Sequence, residues 1–110
     1  MPLPLIQRGE LWVVDLGYLG KVRPVLVMSI PFQETDRTLL IVVPHTTTVA
    51  GSRFEISIAH STLQPGAFDV QQITAIPAAK FIRRLGVFSP HQIKIIEERL
   101  ATLLGLVLAK

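Results

Sequence analysis

Cysteine is absent from these 110 residues. That excludes disulfides and thiolate metal sites, and it makes a reducing cytoplasmic compartment the expectation. Charge is scarce as well: Asp, Glu, Lys and Arg make up 17% of the chain against 49% hydrophobic residues. This balance excludes a disordered tail and leaves material for one compact core. No apolar run approaches the roughly 20 residues that a transmembrane helix needs. The opening Met1-Pro2-Leu3-Pro4-Leu5-Ile6-Gln7-Arg8 has neither the cationic start nor the long apolar segment of a signal peptide. No membrane partner is therefore expected. There is no glycine-rich phosphate loop followed by Lys-Ser/Thr, no His-Glu-x-x-His and no Gly-x-Ser-x-Gly. The three histidines, His45, His60 and His91, are spread without ligand spacing. Each is expected to be a surface or cap-proximal residue, and neither a metal nor a cofactor is expected.

What is present reads as a single domain over residues 1–110. Lys and Arg total 11 and Asp and Glu total 8, a net charge of +3, which favours a polyanion partner without requiring one. A domain of this size buries a modest share of its surface, so dimerisation would help its stability.

The first eight residues, with two prolines, favour an extended lead-in. Glu10 to Leu16 has the β-branched and aromatic content of a strand, and Gly17-Tyr18-Leu19-Gly20 is a short loop. Arg23 to Ser29 is a second strand with its proline at the start, where strands tolerate one. The two predict an antiparallel hairpin. Thr38 to Val43 is almost continuously apolar, which predicts a central strand buried on both faces and ending at Pro44. Arg53 to Ala59 alternates: Phe54, Ile56 and Ile58 face inward, while Glu55 and Ser57 face water. It is the clearest half-buried strand of the chain. Phe68 to Pro77 predicts one or two short strands, and Phe81 to Val87 another. Ala78 to Lys80 fits either a helical turn or a strand end.

The last element is a helix. Ser89 is an N-cap, Pro90 suits the first position, and Gln92 completes a capping box. Ile93, Ile96, Leu100, Leu103, Leu104 and Val107 then recur at the helical period, and Gly105 ends or weakens it. The predicted fold is mainly β with a C-terminal helix: six or seven short strands in a small, strongly twisted sheet or partly closed barrel, covered on one face by the helix.

Two strand ends carry chemistry. One holds Lys21 and Arg23, the other His45-Thr46-Thr47-Thr48. If the strands starting at Arg23 and Thr38 are antiparallel neighbours, these ends meet on one rim. A fixed guanidinium beside hydroxyls suits a phosphate. The same residues also suit an ordinary surface arginine and a threonine-rich turn.

Gly9-Glu10-Leu11-Trp12-Val13-Val14-Asp15-Leu16, followed closely by Arg23-Pro24-Val25-Leu26-Val27-Met28-Ser29, resembles the N-terminal signature of the MazF/PemK family of toxin endoribonucleases. Ile41-Val42-Val43-Pro44-His45-Thr46-Thr47 looks like the family's third core strand, which ends in a threonine. Phe68-Asp69-Val70-Gln71-Gln72-Ile73 looks like its Asp-Gln-aliphatic segment, with Gln71 standing in place of the acid. Arg83-Arg84-Leu85-Gly86, then Ser89-Pro90, look like its closing strand and helix start. The likeness runs from about Gly9 to Leu106. It implies an SH3-like barrel of the plasmid-toxin type, acting as a homodimer in the cytoplasm. It also implies metal-free cleavage of single-stranded RNA to 2′,3′-cyclic phosphate and 5′-hydroxyl ends, and neutralisation by an antitoxin with an acidic tail. By the same resemblance Arg23 and Thr46 are the catalytic pair, with Thr47 as the alternate threonine. Lys21, Thr47, Arg53, Gln72 and Arg83 are the candidate RNA contacts. The loop from Gly17 to Val22 is shorter than in many members of the family. Two alternatives stay open: a gyrase-poisoning toxin of the same fold, acting through its C-terminal helix, and a member that binds RNA without cutting it.

Overall fold

A core of β-branched residues organises the chain. The computed structural model describes residues 5–17 and 21–106. Expectations for the Pro2-Leu3-Pro4 lead-in, for Tyr18 to Gly20 and for Val107-Leu108 lie outside the described residues.

Strand β1 (Glu10–Asp15) and strand β2 (Val22–Val27) form the predicted hairpin, with Leu11 opposite Leu26 and Val14 opposite Arg23. Strand β3 (Leu39–Thr46) pairs antiparallel with β2, Val25 facing Pro44 and Val27 facing Val42. Strands β4 (Glu55–Ile56), β5 (Ala67–Asp69) and β6 (Thr74–Pro77) are short, and β7 (Phe81–Val87) returns beside β1. The order across the sheet is β4-β5-β3-β2-β1-β7, with β6 pairing the first half of β3. Every pairing is antiparallel, and among the described residues the two ends of this path do not pair. Helix α1 (Pro90–Leu104) follows.

The sheet has two packed faces. Trp12, Val14, Val25, Val27, Leu40 and Val42 share one cluster. Leu11, Leu26, Val43, Phe68, Phe88 and Ile96 share the other, on the side that the helix covers. This alternation assigns each strand side chain to a face.

Several expectations need correction. Pro44 does not end β3, which runs on to Thr46. On the side of β3 away from β2, Pro44 falls between the stretch paired with β6 and the stretch paired with β5. A residue without an N–H fits where a ladder changes partner. Nor is β3 buried on both faces throughout, because Leu39 and Ile41 stay exposed. The alternation from Arg53 to Ala59 survives as packing, with Phe54, Ile56 and Ile58 on the helix-side cluster. As a ladder it shrinks to two residues, because its partner β5 is only three residues long. Glu55 does not simply face water. Its carboxylate accepts the Ala50 and Ser52 N–H groups at 2.9 and 2.6 Å, which hold its pKa below the usual range. Residues 78–80 form a 3-10 turn, and a second one at residues 70–72 separates β5 from β6.

The helix starts as expected. Ser89 accepts the Gln92 N–H, and the Gln92 side chain accepts the Ser89 N–H. Gly105 closes the helix in the left-handed conformation. Ile93, Ile96, Leu100 and Leu103 pack inward. Leu104, the last residue of the helix, is exposed. Replacing Ser89 by alanine is expected to cost about 1 kcal/mol, read as a lower urea midpoint with an unchanged m-value.

The Gly-Glu-x-Trp block has a structural job. Glu10 accepts hydrogen bonds from Gln7 N, Trp12 Nε1 and Arg84 Nε. Burial alone would raise its pKa, but these donors hold the carboxyl below its ordinary value. Gly9 beside it has φ +89°, and a Cβ there would meet Ile93 Cδ1 at 2.5 Å. The first strand is thereby locked to β7 and to the helix.

Candidate active site

The hairpin and β3 decide what meets at the rim. Two residues beyond the Val25–Pro44 pair, the same register sets Arg23 opposite Thr46. Arg23 shares its face with Val25 and Val27, and Thr46 shares its face with Val42. Val25, Val27 and Val42 belong to a single cluster, so Arg23 and Thr46 project from the same side of the sheet. His45 and Thr47 alternate to the other side, the one with Val43 and Phe68.

Two clefts flank this rim. The larger, about 710 Å³, includes Arg23, Thr46, Thr48, Asp69 and Gln72 in its lining. The smaller, about 620 Å³, includes Thr47, Thr62, Gln64, Arg83 and Leu85. Lys21, Arg23 and His45 border both. The sequence-predicted residues therefore divide between two faces. Thr46 and Gln72 lie on one, Thr47 and Arg83 on the other, and Lys21 and Arg23 on the rim between. Arg53 joins neither cleft. Its guanidinium stacks 4.6 Å above the Phe54 ring, and its carbonyl accepts a hydrogen bond from Arg99.

Arg23 is half-buried. The salt bridges among the described residues are Arg8–Glu97 and Arg84–Glu10, and neither involves Arg23. The two carboxylates in the larger cleft are engaged by their own turns, Glu55 with the amides already described and Asp69 with the Gln71 N–H at 3.0 Å. A half-buried guanidinium left without a carboxylate is electrostatically ready for an external anion. Thr46 Oγ1 accepts the Thr48 N–H at 3.1 Å and donates to the Thr48 carbonyl at a longer 3.3 Å. The first bond fixes the oxygen. The second is weak enough for the hydroxyl proton to turn to a phosphate oxygen. Together the two side chains can hold a phosphodiester and stabilise charge developing on it.

His45 corrects the reading of the histidines as surface residues. It is 4% exposed and meets Phe68 edge-on with ring centroids 5.0 Å apart. Burial pushes its pKa below the ordinary 6.5, so the folded protein holds it neutral. The unfolded chain takes up the proton more readily. Stability from this residue is therefore present above about pH 6.5 and is lost as pH falls from there toward the folded value. Wild type is expected to lose more stability than His45→Phe between pH 7.5 and 5.5, as read from thermal melts of both.

Sequence reasoning missed Thr62, Gln64 and Gly66. The first two reach a cleft only through the path of the 60–66 loop, which no residue pattern announces. Gly66 abuts β3, where a Cβ would come 2.1 Å from the Thr46 carbonyl oxygen. The Pro65-Gly66 turn signal marked a loop but not this close approach. Among the described residues, no group of three or more His, Cys, Asp or Glu side chains could hold a metal ion, and no helix is long and apolar enough to cross a membrane.

Comparison with known proteins agrees in fold and family. The family model described as PemK-like, MazF-like toxin of type II toxin-antitoxin system matches residues 7–104. An endoribonuclease in complex with its cognate antitoxin, from a Mycobacterial species, is 25% identical, with a TM-score of 0.78 over 94% of this chain and 99% of that one. A second endoribonuclease from a Mycobacterial species is 25% identical, with a TM-score of 0.75 over 99% and 98%. MazF from Deinococcus radiodurans, at 18% identity, superposes with a TM-score of 0.80 over 94% and 99%, a likeness of fold.

Proposed function

Because the chain belongs to the PemK-like, MazF-like toxins of type II toxin–antitoxin systems, we propose that it is an endoribonuclease that cuts single-stranded RNA at Arg23 and Thr46. The observation that carries this reading is the half-buried Arg23, without a carboxylate partner among the described residues, on the same sheet face as Thr46. The RNA 2′-hydroxyl attacks the adjacent phosphorus, the bond to the 5′-oxygen breaks, and the products are a 2′,3′-cyclic phosphate and a 5′-hydroxyl. The proton leaves the 2′-hydroxyl and one arrives at the 5′-oxygen, so the proton count is unchanged. Arg23 stabilises the charge that builds on the phosphoryl oxygens. Its permanently protonated guanidinium serves electrostatics better than it serves as a base. Thr46 Oγ1 orients the phosphate. No step calls for a metal. Lys21 and Arg83 add long-range attraction for the backbone, and Gln72 contacts the strand in the larger cleft.

The partners follow from the same chemistry. The basic rim suits an antitoxin segment rich in Asp and Glu, competing with RNA for the same cations. Exposed Ile82 and Val87 on the edge strand β7 give a second copy of the chain apolar surface to cover. The protein acts in the cytoplasm, where its RNA is.

The test is incubation of the purified protein with single-stranded RNA in EDTA, followed by analysis of the ends. Cleavage with 5′-hydroxyl and cyclic phosphate ends is expected. RNA bound but left intact would sustain the non-catalytic alternative, and neither binding nor cutting would leave the gyrase-poisoning one.

A further inference from the structure

His45 is the buried polar side chain that the cleavage chemistry does not use. Its ring is held between Phe68, edge-on at 5.0 Å, and the Cα of Gly66, where an added Cβ would lie 2.9 Å from Cε1. Among the described residues neither ring nitrogen makes a hydrogen bond, yet no fully enclosed side-chain nitrogen or oxygen lacks a partner. The imidazole nitrogens therefore keep contact with open space. His45 borders both clefts, and strand alternation turns its side chain to the Thr47 side of the sheet, toward the 620 Å³ one. A neutral imidazole offers one donor and one acceptor.

The other walls narrow the ligand. Val13, Pro24 and Leu85 give the cleft apolar surface, Gln64 and Thr62 offer donors and acceptors, and Arg83 adds a cation that the larger cleft lacks. Apolar surface beside paired donors and acceptors suits a flat heterocycle better than a phosphate. Lys21 and Arg23 border both clefts, so one strand can cross the rim with its phosphate on the Arg23 side and a neighbouring base on the other.

We propose that this cleft receives an unpaired nucleobase flanking the cut phosphate, and that His45 and Gln64 read its hydrogen-bonding edge. The inference rests on the endoribonuclease reading and adds a base-reading site on the opposite face of the sheet from Thr46. His45 here selects sequence and takes no part in bond breaking.

The experiment is a cut-site profile. A pool of random-sequence single-stranded RNA is treated in EDTA with wild type, His45→Phe and Gln64→Ala, and the new 5′-hydroxyl ends are sequenced. Phenylalanine keeps the ring packed on Phe68. Gln64 is exposed, so its replacement leaves the fold intact. Both variants are expected to relax base preference at the same single position by about tenfold, the worth of one or two hydrogen bonds, with the loss on the preferred RNA appearing in KM more than in kcat. Profiles identical to wild type at every position would overturn the proposal. So would unchanged RNA profiles combined with weakened binding of poly-glutamate, which would assign the cleft to an acidic protein segment. If wild type cuts no RNA, the endoribonuclease reading fails by itself, and the cleft is then judged by binding of a 2′-O-methyl RNA pool. Sequence-selective binding lost in both variants supports it, and equal binding by all three proteins overturns it.

Discussion

Replacing Arg23 by alanine is expected to lower kcat for RNA cleavage by about 10²–10³-fold, the usual cost of removing one group that stabilises transition-state charge. The fold is expected to survive. Arg23 lies at the start of β2, half-buried, with no salt bridge among the described residues to lose. The strand behind it is anchored independently by Val25, Leu26 and Val27, all fully buried. Removing an unpartnered cation relieves a small desolvation cost, so the melting temperature should stay level or rise slightly. Arg23→Lys is expected to recover only part of the rate, because an ammonium keeps the charge but loses the fork that holds two phosphate oxygens. Kinetics and melts of the same preparations check both halves. A large drop in stability alongside the drop in kcat would mean that Arg23 supports the fold rather than the reaction.

Gly66→Ala is expected to damage the site without touching a reacting group. A Cβ at this position would lie 2.1 Å from the Thr46 carbonyl oxygen and 2.9 Å from His45 Cε1. The first contact is with backbone, which has no rotamer to turn away. Relief requires β3 and β5 to part where Thr46 pairs with Ala67. Overpacking of this kind costs about 1–3 kcal/mol. It also displaces Thr46, and misplacement of a reacting group by about 1 Å can cost about 10² in rate. Gly66→Ala is therefore expected to lower both the urea midpoint and kcat, whereas Arg23→Ala lowers kcat alone. A Gly66→Ala protein with wild-type kinetics would show that the position of Thr46 is unimportant.

Much of this fold is legible in the residues because the deciding interactions are local. Ser89, Pro90 and Gln92 state the helix start in hydrogen bonds made within four residues. The β1–β2 hairpin follows from two apolar runs and a short glycine-containing loop. Where the reading failed, the deciding partner was distant in sequence. Arg53 to Ala59 alternates as a strand should, but its ladder depends on what β5 offers, and β5 gives way to a 3-10 turn at Val70. Pro44 looked like a terminus because a proline usually interrupts a ladder. It is tolerated because β6 and β5 divide the far side of β3 between them.

The site divides in the same way. Arg23 and Thr46 could be brought together on paper, since antiparallel neighbours place one strand's start beside the other's end. The resemblance put Thr46 first and kept Thr47 as the alternate, without saying which of them shares a face with Arg23. The parity of β3, which passes through Pro44 without a break, sets Thr46 on that face and Thr47 on the other. Arg53 shows what residue type leaves open: its guanidinium lies over the Phe54 ring and outside both clefts. The smaller cleft was invisible because Thr62 and Gln64 arrive on a loop and His45 is concealed by burial.

The face assignment is the centre of this account, and single-turnover cleavage of one RNA by Thr46→Ala and Thr47→Ala in EDTA tests it most directly. Strand alternation sets Thr46 on the Arg23 face, Thr46 lines the larger cleft and Thr47 the smaller, and Arg23 borders both. Thr46→Ala is expected to lower the cleavage rate at saturating protein by about 10²-fold. Thr47→Ala is expected to keep that rate within a few-fold and to show its effect in the protein concentration needed for half-saturation. The reverse pattern, with the rate lost on replacing Thr47 and kept on replacing Thr46, would contradict the account.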